Sequence, residues 1–66
     1  MAEPHLLITR RKEGFVLELT HGADRGQLTD SPSIEDVRTA ARGIAAWTRD
    51  ERTGRTITII DRSGVE

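Results

Sequence analysis

Apolar and polar residues alternate in two short runs near the amino end. Residues 5–10 read HLLITR and residues 15–20 read FVLELT. In the second run Phe15, Leu17 and Leu19 fall on one side, and Val16, Glu18 and Thr20 on the other. That is the period of a strand with one buried face. The stretch between the runs, 11–14 (RKEG), is charged and closes on a glycine, so it reads as a turn. Two strands on so short a loop predict an antiparallel hairpin. A second turn is expected over 21–26 (HGADRG), which holds two glycines and an aspartate. Residues 27–30 predict a short third strand, supported only by Leu28.

The period then changes. Ile34, Val37, Ala41, Ile44 and Trp47 recur at spacings of three and four, which predicts a helix with one apolar stripe. Ser33 is placed to cap it, and Asp36, three residues on, resembles a capping box with Asp in place of Glu. Glu35 and Asp36 suit the positive end of the helix dipole. Gly43 costs about 1 kcal/mol relative to Ala in mid-helix. The small residues Ala40, Ala41, Gly43 and Ala45 are expected to let the helix lie close to a sheet. Residues 48–54 end the helix, with Gly54 as a stop or turn residue. Residues 55–61 (RTITIID) alternate again and predict a last strand. The ends, 1–4 and 62–66, are expected to fray.

Together these elements predict an α+β fold: a small antiparallel sheet of three or four strands with one helix on one face. The expected core is Leu6, Ile8, Phe15, Leu17, Leu19, Val37, Ala41, Ile44, Trp47, Ile57 and Ile59. A one-residue slip of the first strand would put Leu7 there instead of Leu6 and Ile8. The other sheet face would carry Leu7, Thr9, Val16, Glu18, Thr56, Thr58 and Ile60. Being half apolar, it is either solvated or a dimer interface.

Length sharpens this picture. The chain has 66 residues, enough for a single domain, 1–66. A chain this short buries only about 60% of the surface it exposes unfolded. It has no cysteine, so disulfides cannot add stability, and its two histidines make a poor zinc site. No cofactor or metal is expected. Self-association or docking on a protein partner is the remaining device. No apolar run approaches the roughly 20 residues of a membrane helix. The basic residues near the amino end follow the apolar run, the reverse of a secretory signal. A cytoplasmic protein without membrane contact is expected. The net charge of −1 argues against nucleic acid as the main partner. Nine arginines to one lysine, with no asparagine, fit a high-GC genome, such as an actinobacterium or its phage.

Few residues invite chemistry. His5 and His21 have no nucleophile at a recognisable spacing. The first strand has no acid to place at a sheet centre, and Glu35 and Asp36 already serve the helix start, so a carboxylate metal cluster is not expected. HGADRG lacks the spacing of a phosphate loop. No catalytic residue is assigned. Two basic groups remain as partner-binding residues. Arg10, Arg11 and Lys12 gather at the hairpin tip, and Arg38, Arg42 and Arg49 lie off the apolar stripe of the helix.

The order of elements carries a family likeness. The hairpin ITRRKEGFVLEL, the capped helix SPSIEDVRTAARGIAAW and the closing strand RTITII resemble the amino-terminal domain of HicB-type antitoxins and their stand-alone relatives. In that family a charged hairpin and a polar loop precede a Ser/Thr-capped helix with two acids in its first turn. The resemblance implies a non-catalytic protein-binding module, antitoxin-like or a phage or host regulatory accessory, that occludes its partner. The alternative is a small nucleic-acid-binding protein using the basic hairpin tip.

Overall fold

In the computed structural model, residues 3–65 are described. β1 (His5–Arg11) turns at Lys12 and Glu13 into β2 (Gly14–His21), and β2 turns at Gly22 and Ala23 into β3 (Asp24–Ser31). Gly22, with φ 65°, opens the second turn in a conformation that tight hairpins ask of glycine. α1 (Ile34–Trp47) follows, then β4 (Thr58–Arg62). No helix among the described residues is long and apolar enough to cross a membrane.

The α+β class and the single helix on one sheet are as the sequence predicts. The sheet order is β3-β2-β1-β4. Both hairpins are antiparallel, but β4 runs parallel to β1. The mixed sheet follows from the connections. Direction reverses at each hairpin, and α1 carries the chain back to the end where β1 began. β4 therefore has to run the same way as β1.

β3 is a full strand, although its sequence shows little alternation. Leu17 pairs with Thr29 and Glu18 with Gln27, so Leu28 is an extra residue in a bulge. Strand β3 belongs to the sheet through backbone pairing to β2, which needs no apolar side chains.

The core lies between α1 and one sheet face. Leu6 and Ile8 of β1 and Leu17 of β2 meet Val37 and Ala41 of α1. Each large aliphatic side chain removed from water contributes roughly 1.5–3 kcal/mol. Leu6 pairs with Leu19 and Ile8 with Leu17, which fixes the first strand in the expected register. Phe15, Ile34, Ile44 and Ile57 pack against the edge of this cluster.

Three residues expected in the core are not there. Trp47 is 87% exposed, and Leu19 and Ile59 are each 37% exposed. For Trp47 the reason is helical phase. Two successive steps of three, from Ala41 to Ile44 to Trp47, each fall about 60° short of a full turn. Trp47 thus points about 120° away from Ala41, and Ala45, four residues after Ala41, takes the buried place. Leu19 and Ile59 sit toward the end of the sheet opposite the hairpin tip. Gly43 also faces outward: a Cβ added there would meet nothing within 4 Å.

The helix start differs in detail from the capping box. The Ser33 side chain makes no capping bond. Ser31 acts instead: its hydroxyl donates to Asp36 Oδ2 (3.0 Å) and accepts from the Ser33 amide (3.1 Å). Nearby, the hairpin tip rests on the β3–α1 link. A Cβ at Gly14 would lie 2.6 Å from the Ser31 carbonyl oxygen and 2.9 Å from Pro32 Cα.

Residues 63–65, expected to fray, are tied down. Ser63 is buried, and its amide and hydroxyl both donate to Asp61 Oδ1. Arg38 donates from α1 to Asp61 Oδ2 and to the Val65 carbonyl. The Ser63 bonds, with Arg38 beside them, hold the Asp61 carboxyl below its ordinary value. Of the two roles expected of Gly54 it takes the turn, because the helix already ends at Trp47 with Thr48 as its cap. With φ 73° it closes the following loop, donating to the Asp50 carbonyl (2.7 Å).

Candidate partner-binding site

The sheet face away from α1 has no second layer, yet its centre is dry. Val16 is 6% exposed and Glu18 only 5%. Alternation puts both on this face, along with Leu7, Thr9 and Thr20. The cover is supplied by two arginines from opposite ends of the sheet. Arg11, at the end of β1, donates to Glu18 Oε1 (3.2 Å). Arg25, near the start of β3, donates through Nε and Nη2 to Glu18 Oε2 (3.1 and 2.8 Å).

Register explains the burial. Arg11 pairs with Gly14, four residues from Glu18 along β2. Its side chain reaches back along the sheet, past the position of Val16, to the carboxylate. Arg25 pairs with Thr20 and approaches from the other side. Both arginine side chains keep more than half their surface in water. A buried carboxylate therefore fixes two guanidiniums that still face outward. The hydroxyls of Thr9 and Thr20 are buried on this face without a partner among the described residues.

At the hairpin tip the same face opens into a groove of about 720 Å³. It lies between the first turn and the end of β3, and Arg11, Lys12, Glu13, Gln27, Asp30 and Ser31 line it.

The partner-binding residues named from sequence are thus divided. Arg11 and Lys12 line the groove. Arg10, the neighbour of Arg11 in β1, falls on the α1 side, because successive strand residues alternate. Arg38 is taken up within the fold: its guanidinium pairs with Asp61 (2.9 Å) and reaches Glu35 (3.8 Å). Arg42 is exposed and donates to the Thr39 hydroxyl (3.4 Å), and Arg49 is exposed just past the helix. Among the described residues, neither Arg42 nor Arg49 has an ion pair.

His5 and His21 fall on opposite sheet faces by strand alternation. Among the described residues, no group of three or more His, Asp or Glu could hold a metal ion.

Sequence reasoning placed Glu18 on a face that was either solvated or a dimer interface, and did not single out Arg25. The signal was present but depended on β3. Once Asp24–Ser31 pairs with β2, Glu18 and Arg25 become diagonal neighbours on one face, a pairing suited to long opposite charges.

No family model, curated protein or solved structure matches this chain.

Proposed function

We propose that this chain is a non-catalytic protein-binding module that takes an acidic segment of its partner into the hairpin-tip groove. The observation that carries this reading is Arg11, held over the groove by the buried Glu18. Its geometry is set before a partner arrives, so less ordering is lost on binding. Lys12 lies beside it and is exposed. A partner carboxylate placed between them makes charge-assisted hydrogen bonds. Glu13 and Asp30 at the rim repel a uniformly acidic chain such as a nucleic-acid backbone. The mechanism is occlusion, in keeping with the antitoxin-like or phage or host regulatory role that the HicB likeness implies, in the cytoplasm.

The test is capture on the tagged protein from a high-GC bacterial lysate, with and without nuclease, at low and high salt. The wild type and Lys12→Glu are compared, since Lys12 has no bond within the fold among those described. One protein held by the wild type at both salts and lost from Lys12→Glu is the expected result. Equal capture by both removes the groove from the reading. Capture that disappears with nuclease or salt moves the function to nucleic acid.

A further inference from the structure

Trp47 stands at the carboxyl end of α1 with 87% of its surface in water. Tryptophan is among the residues most enriched as interface anchors. The same chain carries an empty apolar groove of about 280 Å³ at the end of the sheet away from the hairpin tip. Leu19 and Leu28 form its apolar walls, His21, Asp24 and Gly26 line it with Leu19, and Arg25 and Gln27, which alternate toward the other sheet face, complete the lining. Both leucines are partly exposed. The groove lies just below the usual range for small-molecule pockets, which begins near 300 Å³, and suits one inserted side chain.

Trp47 and the Leu19 wall of the groove lie on the same side of the molecule. Leu19 shares the face of Leu17, under α1, and His21, Asp24 and Gly26 follow it by register. The flank of α1 that Asp36 marks is bonded to Ser31 of β3, while the flank of Arg38 is bonded to Asp61 of β4. Trp47 is eleven residues after Asp36, about 20° away around the helix. It therefore leans toward β3, and α1 runs from the Ser31 end of β3 toward the Asp24 end.

Charge follows the same division. Arg25 at the groove is already bonded to Glu18. Asp24, beside it, and Arg49, two residues beyond Trp47, are both exposed. Among the described residues neither has an ion pair. A partner that fits this surface offers an indole with a nearby cation to the groove, and an apolar groove with a nearby anion to Trp47. A second copy of this chain offers both.

We infer that the chain forms a two-fold dimer in which Trp47 of each copy fills the Leu19–Leu28 groove of the other, with Arg49 meeting the partner copy's Asp24. Having Trp47 and the Leu19 wall of the groove on one flank lets the arrangement close as a pair instead of growing into a filament. Each indole contributes roughly 150–250 Å² of buried surface. Two indoles supply only part of the approximately 1,200–2,000 Å² of a standard interface, so the dimer is weak and forms at micromolar concentration or above. It does not depend on the hairpin-tip groove, which opens at the other end of β2 and β3.

Trp47 is the one tryptophan, so its emission reports this contact alone. The experiment is sedimentation velocity and fluorescence on the full chain across dilutions from about millimolar to below micromolar. The expected result is a change from two chains to one on dilution, with a red shift of emission at the same midpoint. Trp47→Ala, which removes a side chain the monomer does not bury, weakens dimerisation by about thirtyfold or more, the loss expected of an anchor. Leu28→Glu keeps the tryptophan but closes the groove, and leaves a monomer with red emission. A wild type that is monomeric and red throughout overturns the inference. So does a dimer whose emission stays red, or one that Trp47→Ala leaves intact.

Discussion

Arg38 of α1 and Asp61 of β4 are joined by a 2.9 Å hydrogen bond from Nε to Oδ2 that spans 23 residues of sequence. This contact ties the helix to β4, which no hairpin holds in place. β4 is a five-residue edge strand, and the loop before it is exposed. Arg38→Ala is expected to cost about 1–2 kcal/mol, less than a sealed ion pair because Asp61 retains contact with water. Urea unfolding at neutral pH measures it. Hydrogen exchange in β4 is expected to speed up before exchange in the hairpins.

The same carboxyl makes stability fall in acid. The folded state holds Asp61 below its ordinary value, through the Ser63 bonds first and Arg38 after them. The unfolded chain therefore binds this proton more tightly than the folded one. The stabilisation is fully present above the ordinary carboxylate range near 3.8 and is lost as pH falls through the depressed folded value. Unfolding free energies measured from about pH 5 downward are expected to fall more steeply for the wild type than for Asp61→Asn.

At the start of α1 two serines exchange their expected importance. Ser31 bonds both Asp36 and the Ser33 amide, whereas the Ser33 side chain caps nothing. Ser31→Ala is expected to cost about 1 kcal/mol and Ser33→Ala only a few tenths. Thermal unfolding of the two variants decides the order. A larger loss at Ser33 would restore the capping box read from sequence.

Two glycines predict opposite signs. A Cβ at Gly14 meets backbone on both sides of the Ser31–Pro32 bond, and neither atom can swing away. At Gly43 it meets open space on the outer face of a helix. Gly43→Ala is expected to stabilise by about 0.4–1 kcal/mol, mostly by restricting the unfolded chain. Gly14→Ala should destabilise by more than that, with φ of 155° adding to the clash. Denaturant midpoints with unchanged slopes test both.

What could be read from the sequence follows from which forces write themselves into periodicity. β1, β2 and α1 each bury one face, so their apolar spacing is plain in HLLITR, FVLELT and the Val37–Ala41 stripe. β3 is held by backbone pairing and has little to bury, so its eight residues left a single apolar mark at Leu28, which sits in the bulge. The parallel sense of β4 is set by connection and not by composition. Trp47 extended the stripe in spacing while rotating off it in angle. The basic cluster at the hairpin tip was visible as charge. Its division between two faces, and the role of Glu18 in fixing Arg11, depend on register and on a third strand.

Glu18 and its two arginines give the last prediction. Arg25 places two N–H groups on one carboxylate oxygen, at 3.1 and 2.8 Å, while Arg11 places one on the other oxygen at 3.2 Å. Shorter and doubled charge-assisted bonds are the stronger ones. Both guanidiniums are largely in water, which discounts each pair toward the surface range. Double-mutant cycles with Glu18→Gln are expected to give a coupling of about 1 kcal/mol for Arg25 and about half that for Arg11. The carboxylate itself is almost wholly covered, so added salt should reduce the Arg25 coupling far less than it reduces the exposed Arg38–Glu35 pair. Equal couplings, or an Arg25 coupling abolished by salt, would mean that Glu18 is open to solvent and that the arginines do not cover this face. Loss of that cover would also remove the fixed Arg11 on which the proposed binding of an acidic segment rests.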